Sequence, residues 1–574
     1  MSSPTERSIE LPADYYHTNF CALLDFVADR YHALLSADER DFFQSFKTVE
    51  PQAQKLYIRL LTRKGDFFRA NKLAYPELTP LNQWAEVLSA AGLLDINPQM
   101  ALSDVMALLT KAELLQRSGQ TKLKTLKRAE LEISLQESAL QESVLAGEGA
   151  EQALVLSLVG DEPIYQVKQG GCFDTFKLCF FGNMHQDMTD YVLRDLGLMV
   201  YEDYSLDTQA LPFQSRGQLE QHLQYYQCQE QLETQLQSSA TDMLALTEQL
   251  PTADPNDATL IRRVERFQLT VARQLERIEA LDEALALYRS CARAPSRERQ
   301  ARILVKQHKI DEALHLCQKI QGEQNNNIAI SAYINEEEQV FAREFGWRTA
   351  RKHLSADTLK AWNAPEKYTP QTDTVVLEPG DKSVETLAAE HLAASGECFF
   401  VENTLLTGVL GLYCWDIIFA SISGAFFNPF QHAPADFSSP DFIVQREQQF
   451  SNRLETLTMD SLNARVWQHW EQKQGRANPL VHWAGLSEDL LTLSLDRIPL
   501  AHWRAIFVRL LRDIRNHRSG LPDLIHFPLS GSYELVEIKG PGDKLQKNQI
   551  RWMAYFSAHG IPHRALHVRY PNES

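Results

Sequence analysis

The chain has 574 residues, more than one hydrophobic core usually serves, so several domains are expected. Hydrophobic residues make up 44% and charged residues 23%, a composition typical of soluble globular proteins. The net charge of −18 excludes a surface that coats nucleic acid indiscriminately, but it leaves room for a basic groove on an acidic body.

The N-terminus and the cysteines indicate a cytoplasmic protein. The opening residues MSSPTERSIELPADYY contain no basic segment followed by an apolar run, so no secretion signal is predicted. None of the eight cysteines has CxxC spacing, which disfavours a structural zinc site and favours free thiols. The longest apolar stretch, 408–427, is interrupted by Asp416 and favours a buried helix over a membrane span.

The first 150 residues are predicted to be helical, in two parts. Residues 1–75 carry the periodic apolar runs FCALLDFVADRYHALL and KLYIRLLTRKGDFF, which favour a helical N-terminal domain. Residues 76–150 contain the amphipathic run LSDVMALLTKAELLQ, a break near Gly119 and then a basic stretch. A solvated helix face is one interpretation of that stretch. The order of helix, turn and basic helix also resembles a SAP module, a small DNA-binding unit, with candidate DNA contacts at Arg117, Lys122, Lys124, Lys127 and Arg128.

The middle of the chain is predicted to be mostly helical. Residues 151–214 form a mixed connecting region in which ALVLSLV and DTFKLCFFG favour strands. Residues 215–362 follow as a helical domain, in which LDEALALYRSC is echoed 29 residues later by IDEALHLCQKI. The echo indicates stacked helical hairpins of the tetratricopeptide type, with a plain helical bundle as the alternative. The polar, proline-containing segment 363–383 is the predicted linker to a last domain, 384–574.

The last domain contains the residues that indicate chemistry. DLIHF and YELVEIK are predicted strands, and PLSGS between them is a turn. Asp523 and Glu537 are equally far from Ser530, so a hairpin centred there makes them cross-strand neighbours with Cβ atoms about 5 Å apart. Lys539 shares the face of Glu537, and Ile538 points to the other side.

Such a group of charges predicts metal-dependent hydrolysis of a phosphodiester. Two adjacent carboxylates repel each other unless a cation lies between them, and their oxygens suit Mg²⁺ or Mn²⁺. A bound metal activates water and offsets charge on phosphate. Lys539 is placed to orient or deprotonate that water, or to stabilise the developing oxyanion. The alternative is an ordinary turn followed by a surface ion pair.

The segment GLPDL followed by VEIKGPGDKLQKNQIRW resembles the VRR-NUC domain, a branch of the PD-(D/E)xK nuclease fold. The matching positions are Pro522, Asp523, Glu537, Lys539, Gly540, Pro541, Asp543, Leu545 and Gln549. The resemblance implies that Asp523, Glu537 and the backbone carbonyl of Ile538 bind the metal, and that Lys539 and Gln549 are catalytic. It also implies Glu402, in FFVENTLLTGVLGLYCWDIIF, as a further catalytic metal ligand. The alternative for Glu402 is a charge that stabilises a helix N-terminus.

The whole layout, a helical N-terminal region, a SAP-like unit, helical repeats and a C-terminal VRR-NUC domain, resembles the Fanconi-associated nuclease family. The resemblance implies an endonuclease that prefers 5′ flaps, with 5′-to-3′ exonuclease activity and a role in interstrand crosslink repair. Animal members carry a ubiquitin-binding zinc finger. This sequence has no Cys/His cluster to build one, so a bacterial-type monomer acting on branched DNA is implied. A Holliday-junction resolvase-like nuclease and a non-catalytic repair adaptor are the alternatives.

Positive charge is concentrated around the proposed site. Between Arg504 and Arg551, nine lysines and arginines accompany five acids, two of which are proposed metal ligands. Four arginines there recur every three residues, a spacing that drifts slowly around a helix and lets much of the set face one groove. A solvated helix face is the alternative. The candidate DNA contacts of this region are Arg509, Arg512, Arg515, Arg518, Lys544 and Lys547.

Overall fold

The computed structural model describes residues 14–146, 150–187, 199–206, 211–322, 335–365 and 368–571. The chain divides into two compact units, Met1–Val192 and Leu193–Ser574. Helices predominate in both units, and a five-stranded mixed sheet lies near the C-terminus. The predicted fold class, a mostly helical multidomain chain that ends in an α/β domain, is confirmed.

The N-terminal unit packs helices around a small antiparallel sheet. Strands β1 (Phe67–Arg69), β2 (Leu94–Ile96) and β3 (Ile164–Val167) pair in the order β1-β3-β2. Short 3₁₀ helices lie at Ala70–Lys72, Pro76–Leu78 and Thr121–Thr125. The described α-helices are Tyr15–Tyr31, Ala37–Thr48, Pro51–Leu61, Leu81–Ala90, Leu102–Leu108, Lys111–Arg117, Arg128–Ala146, Ala150–Val159 and Gly170–Phe181.

This small sheet joins three segments that the sequence predicted as separate. Strand β1 lies within 1–75, β2 within 76–150 and the central strand β3 within 151–214. The predicted boundaries at 75 and 150 therefore fall inside one compact unit. Each strand has only three or four residues, too few for a periodic pattern to indicate the pairing.

Two runs predicted as strands are helices. ALVLSLV lies in the helix Ala150–Val159, and DTFKLCFF lies in the helix Gly170–Phe181. In the first run Val155 and Leu158 are buried while Leu156 is 65% exposed, which is the three-residue period of a helix. A short apolar run does not distinguish a buried strand from a helix, so the strand prediction was wrong.

The sequence predicted a basic helix after Gly119, and the described residues 120–146 do not contain one. Lys122 and Lys124 lie on the 3₁₀ turn Thr121–Thr125, and Arg128 is the first residue of the helix Arg128–Ala146. That helix continues with glutamates, not with further cations. The positive charge is therefore a short loop cluster, and the likeness to a helix–turn–basic helix module ends at the turn.

The second unit begins with stacked helices and ends with the mixed sheet. The helices of its first part are Arg216–Gln235, Ala240–Glu248, Ala258–Arg277, Leu281–Arg289, Ser296–Lys306, Ile310–Gly322, Glu336–His353 and Ala356–Leu359. Those of its second part are Val384–Ala393, Leu405–Tyr413, Trp415–Ile418, Asp441–Gln445, Glu447–Glu455, Met459–Lys473, Glu488–Arg497, Leu500–Arg512, Ile514–His517 and Lys547–Ala558, with a 3₁₀ turn at Trp483–Gly485.

The predicted internal repeat has a structural counterpart. The two copies of the motif begin the helices Leu281–Arg289 and Ile310–Gly322. Before each helix a residue adopts a left-handed conformation, Glu279 with φ 62° and His308 with φ 61°. The same turn thus recurs after 29 residues (279 to 308), and each helix packs against the helices that precede and follow it in the chain, as expected for helical hairpins.

The C-terminal sheet has the strand order β4-β8-β7-β6-β5. Strands β4, β8 and β7 run parallel, and β7, β6 and β5 pair antiparallel. The strands are β4 (Thr372–Val376), β5 (Gly396–Phe400), β6 (Leu524–Pro528), β7 (Glu534–Lys539) and β8 (His563–Arg569). Strand β4 lies inside the predicted linker 363–383, so part of that segment belongs to the sheet. Its alternating sequence TDTVV suits an edge strand, and Asp373 pairs with Arg564 of β8 at 2.9 Å.

Most of the apolar stretch from 408 to 427 is buried, as predicted. The helix Leu405–Tyr413 has every residue buried, and the chain then turns into the short helix Trp415–Ile418. Among the described residues, no helix is long and apolar enough to cross a membrane. This helix lies directly after strand β5, so its burial holds the end of that strand in place.

Candidate active site

The hairpin of β6 and β7 forms the base of the candidate site. Its register pairs Leu524 with Val536 and His526 with Glu534, and the next pair along that register is Asp523 opposite Glu537. This is the pairing that the sequence predicted. The backbone amide of Ile538 donates a hydrogen bond of 2.7 Å to Asp523 Oδ2. The Asp523 carboxylate therefore lies against strand β7, beside Glu537.

Glu402 reaches the same edge of the sheet from a third strand. Strand β5 pairs with β6, and beyond its last residue the amide of Val401 donates to the carbonyl oxygen of Asp523 at 2.7 Å. Glu402 follows, exposed, in the turn that leads into the helix Leu405–Tyr413. Its carboxylate accepts a 3.3 Å hydrogen bond from Asn403 Nδ2. Asp523 thus lies just before β6, Glu402 just after β5, and Glu537 within the second half of β7.

Two further side chains hold Glu537 from opposite directions. Lys539 Nζ donates to Glu537 Oε1 at 2.7 Å, and Gln549 Nε2 donates to the same oxygen at 2.5 Å. The amide oxygen of Gln549 accepts from the backbone amide of Gln546 at 2.8 Å, in a capping box that begins the helix Lys547–Ala558. Because the cap uses the amide oxygen, the NH₂ group faces Glu537. A glutamate at 549 would cap the helix but would repel Glu537.

The electrostatics of the hairpin favour a cation. Burial raises the pKa of Asp523 to about 6 and the nearby charge of Glu402 adds to this, although the Ile538 hydrogen bond and Lys539 lower it. Burial and the charge of Asp523 raise the pKa of Glu537 to about 7 against the opposing effect of Lys539. Glu537 is only 1% exposed. Both carboxyl groups are harder to ionise than usual, because their pKa values are raised. A nearby cation would stabilise their ionised, carboxylate forms.

The residues of the hairpin fit a hard divalent cation in their chemistry. Carboxylate and backbone carbonyl oxygens are the donors that Mg²⁺ and Mn²⁺ prefer. Within the described ranges, no three Asp, Glu, His or Cys side chains converge closely enough to surround an ion. Glu402 is turned toward Asn403, and Glu537 is hydrogen-bonded to Lys539. The oxygen donors therefore lie near one another on neighbouring strands, but their side chains do not point toward one shared position.

Sequence reasoning did not identify Glu385 as a residue of the site. This residue lies in the first turn of the helix Val384–Ala393, and its charge contributes to the raised pKa of Asp523. Side-chain atoms of Val384 come within 3.4 Å of where a Cβ on Gly540 would lie, so the helix begins next to the loop after Lys539. An acid in a first helical turn is common because it stabilises the helix dipole, and the sequence alone therefore carries no specific signal.

Arg509 does not face a DNA groove, which corrects its prediction as a DNA contact. The residue is 6% exposed, and its Nη2 lies 3.0 Å from Glu336 Oε2. Its guanidinium also lies over the rings of Trp552, at 4.8 Å, and Tyr555, at 4.5 Å. His517 Nε2 contacts the same Glu336 oxygen at 3.0 Å. Arg509 is therefore a core residue that joins the last helical repeat to the sheet domain.

The other arginines of that series are exposed. The helix Leu500–Arg512 ends before Asp513, which has φ −155° and caps the short helix Ile514–His517. Because of this break, the arginines do not lie on one continuous helix, as their three-residue spacing predicted. Arg512 and Arg515 line a cavity of about 550 Å³ together with Arg262, Arg293 and Arg297. Arg518, Lys544 and Lys547 are exposed elsewhere on the surface.

The cations predicted as DNA contacts in the N-terminal unit also divide into two groups. Arg117 donates to two carbonyls of the helix Ala150–Val159, at 2.7 and 2.9 Å, and to Glu162 at 3.2 Å. Its guanidinium is thus used inside the unit, which argues against the predicted DNA contact. Arg128 pairs with Glu132 at 2.8 Å on an exposed surface. Of the five predicted contacts, Lys122, Lys124 and Lys127 are exposed and form no ion pair within the described residues.

The paired carboxylates and the lysine of this sheet, with the glutamine of the helix that follows, define a nuclease of the PD-(D/E)xK type. The VRR-NUC domain family model matches residues 457–570, and the model of the FAN1 HTH domain matches residues 14–95. The Fanconi-associated nuclease 1 homolog of Pseudomonas aeruginosa is 34% identical over 98% of this chain and 97% of that protein. The rice homolog is 24% identical over 94% of this chain and 61% of that protein. A crystal structure of paFAN1 bound to DNA with a two-nucleotide 5′ flap and a gap has a TM-score of 0.79 and 31% identity, and covers 98% of this chain and 100% of that one. This chain belongs to the Fanconi-associated nuclease 1 family.

Membership of this family decides whether the chain is a nuclease or a non-catalytic adaptor, the two classes of protein that the sequence left as alternatives. The chain is an enzyme, a nuclease of a type that generally uses divalent metal ions, so the non-catalytic adaptor is set aside. The HTH match extends from 14 to 95 and crosses the predicted boundary at 75, in agreement with the shared sheet of the N-terminal unit.

Proposed function

We propose that this chain is a monomeric, structure-specific DNA endonuclease that uses Mg²⁺ or Mn²⁺ to cut beside the branch of 5′ flaps. We further propose 5′-to-3′ exonuclease activity and a role in interstrand crosslink repair. The observation that carries the proposal is the pair of adjacent carboxylates, Asp523 opposite Glu537, with Lys539 held against Glu537. The crystallisation of paFAN1 with 5′-flap DNA supports the choice of substrate.

The metal ligands in this proposal are Asp523, Glu537, Glu402 and the backbone carbonyl of Ile538, and the charge of Glu385 acts on Asp523. The ion supplies positive charge that offsets the phosphodiester and lowers the pKa of water. The raised pKa values of Asp523 and Glu537 support this assignment, because a cation favours the ionised form of both groups.

The remaining catalytic roles belong to Lys539 and Gln549. The Lys539 ammonium holds its protons at the strand edge, where it orients the attacking water or stabilises charge on a phosphate oxygen. Gln549 fixes the Glu537 carboxylate from the helix side. Hydrolysis forms a bond from the water oxygen to phosphorus and breaks the bond from phosphorus to the leaving sugar oxygen, which takes up a proton.

Exposed cations of both units are proposed to bind DNA phosphates. Arginine guanidinium groups match phosphate oxygens geometrically, and lysines contribute point charges. Such contacts position DNA but do not read its sequence, which suits an enzyme that recognises branched shape. The proposed contacts are Arg512, Arg515, Arg518, Lys544, Lys547, Lys122, Lys124 and Lys127.

A cleavage panel with purified full-length protein tests the proposal. The substrates are end-labelled 5′-flap, 3′-flap, four-way junction, plain duplex and single-stranded DNA, each with Mg²⁺, Mn²⁺ or EDTA, and Asp523→Ala is the control. We expect metal-dependent incision near the 5′-flap branch that is lost in the variant. Symmetric paired nicks in the four-way junction would indicate a resolvase instead. A 5′-flap substrate with an interstrand crosslink in its duplex then tests the repair role, since successive cuts on both sides of the link are expected.

A further inference from the structure

Three exposed arginines and a fourth that is partly buried lie on one face of a helix in the repeat region, where Leu269 between them is buried. The helix Ala258–Arg277 buries one side through Leu260, Phe267, Val271 and Leu275. Because an α-helix turns about 100° per residue, the arginines on the opposite side fall within about 60° of one another. This arginine stripe consists of Arg262, Arg266, Arg273 and Arg277.

The positive charge of the arginine stripe is not cancelled by its own helix. The helix contains five arginines and two glutamates, in a chain whose net charge is −18. Glu265 accepts a hydrogen bond of 2.7 Å from the amide of Ala292, and Glu276 binds Arg299 Nε at 2.9 Å. Both acids are therefore turned to other partners in the repeats.

Three members of the stripe are free to bind a ligand. Arg266, Arg273 and Arg277 are exposed, and within the part of the chain that the structure describes none of them forms an ion pair. Arg262, at the start of the stripe, is half-buried and contacts Asp441. An arginine-only exposed face on an acidic protein indicates a polyanionic ligand.

The length of the stripe decides which polyanion fits. At 1.5 Å per residue, the exposed Arg266 and Arg277 are separated by about 16 Å along the helix. That is about five base pairs of duplex, at 3.4 Å per base pair. A single phosphate group engages one or two arginines, whereas a linear array on a convex helix matches the extended charge of a DNA backbone.

We propose that the arginine stripe binds the phosphate backbone of a duplex arm of the substrate, so that the helical repeats hold the DNA whose branch is cut. This inference rests on the proposed function and adds a surface to it. The contact is independent of sequence, because it involves phosphates only. Its contribution to affinity is electrostatic and falls as salt rises, with a slope set by the number of phosphates neutralised.

The test compares the full-length triple variant Arg266→Ala, Arg273→Ala, Arg277→Ala with wild type. Binding of a fluorescent 5′-flap DNA is followed by anisotropy in EDTA across a salt series. Each lost phosphate contact lowers the slope of log K against log [salt] by about 0.9, so we expect a decrease of about 2–3. We expect a 10- to 100-fold weaker Kd at low salt. The matched control replaces Arg343, Arg351 and Lys352, three exposed cations on another repeat helix, with alanine and retains the wild-type slope.

The outcomes separate the inference from the proposed function. Equal slopes and affinities for the triple variant and wild type overturn the stripe as a DNA contact, as does an equal decrease in the control. An equal loss for single-stranded DNA overturns the assignment to a duplex arm. Since binding is measured without metal, none of these results depends on which substrate is cut. A triple Gln variant repeats the measurement if the Ala variant melts earlier than wild type.

Discussion

Two charged clusters of the second unit differ in how their charge is balanced. At Glu336, one carboxylate meets Arg509 and His517, and despite burial the hydrogen bond from His517 and the charge of Arg509 hold the pKa of Glu336 at about 2. At the hairpin, two adjacent carboxyl groups share mainly Lys539, and burial raises their pKa values to about 6 and about 7. The first cluster is complete as a structural contact. The second has an excess of acid, which is expected where a cation and a substrate are to bind.

The largest effect that we expect is on catalysis at the incomplete cluster. Lys539→Ala removes the cation next to Glu537 and should lower kcat for flap cleavage about 10²- to 10⁴-fold, because a positioned proton donor or acceptor contributes that much. Single-turnover cleavage and anisotropy measure kcat and Kd on the same DNA. Retention of wild-type kcat would remove Lys539 from the mechanism. An unchanged Kd shows that the loss is catalytic.

At the complete cluster we expect a loss of stability. Arg509→Ala leaves the Glu336 carboxylate without its guanidinium and removes a cation from the faces of Trp552 and Tyr555. Because Glu336 is about one third exposed and keeps His517 as a partner, the cost lies below that of a fully buried pair, at about 1–3 kcal/mol in the free energy of unfolding. Urea unfolding followed by circular dichroism measures the difference. Arg512→Ala, which is exposed three residues along the same helix, is the control and should change the free energy of unfolding by less than about 0.5 kcal/mol.

Asp523→Asn should raise the free energy of unfolding of the metal-free protein at neutral pH, whereas Arg509→Ala lowers it. The raised pKa of Asp523 means that the folded protein holds a proton which the unfolded chain has released. The metal-free protein therefore loses stability as pH rises from about 4 to about 6, and the variant lacks this contribution, while the raised pKa of Glu537 still causes a loss of stability toward pH 7. At pH 7.5 without metal we expect the variant to be more stable by about 1–2 kcal/mol. Thermal melts in EDTA at pH 5 and pH 7.5 test this, and a less stable variant at pH 7.5 contradicts it.

The smallest effect is expected at Glu337. This residue is next to Glu336, and its exposed carboxylate pairs with Arg551 at 2.9 Å. Exposed ion pairs contribute about 0–1 kcal/mol, so Glu337→Gln should leave the unfolding midpoint almost unchanged. Glu336→Gln should lower stability at neutral pH, and this difference should disappear as pH falls from about 4.5 toward 2, where Glu336 becomes protonated. Equal unfolding midpoints for both variants would show that the ion pairs of Glu336 stabilise the fold no more than the exposed pair of Glu337.

The sequence was sufficient for the hairpin because the relevant geometry is local. Asp523 and Glu537 are equally far from the turn, which is enough to predict that they pair. The observed strand register places them opposite each other, as predicted. The orientation of Arg509 depends on Glu336, 173 residues away, and no local spacing indicates such a partner. The helix at 150–159 and the strand β4 were missed for a related reason. Short apolar or β-branched runs take their conformation from the surface on which they pack, and that surface comes from distant parts of the chain.

Calorimetric titration of Mn²⁺ into the metal-free full-length protein tests the central claim, that Asp523 and Glu537 form a metal centre. At pH 6.5 both carboxyl groups are partly protonated, so we predict binding that releases protons, seen as a heat that varies with the ionisation enthalpy of the buffer. Asp523→Asn should abolish this binding. Undiminished Mn²⁺ binding by the variant, or no binding by the wild type, would contradict the account.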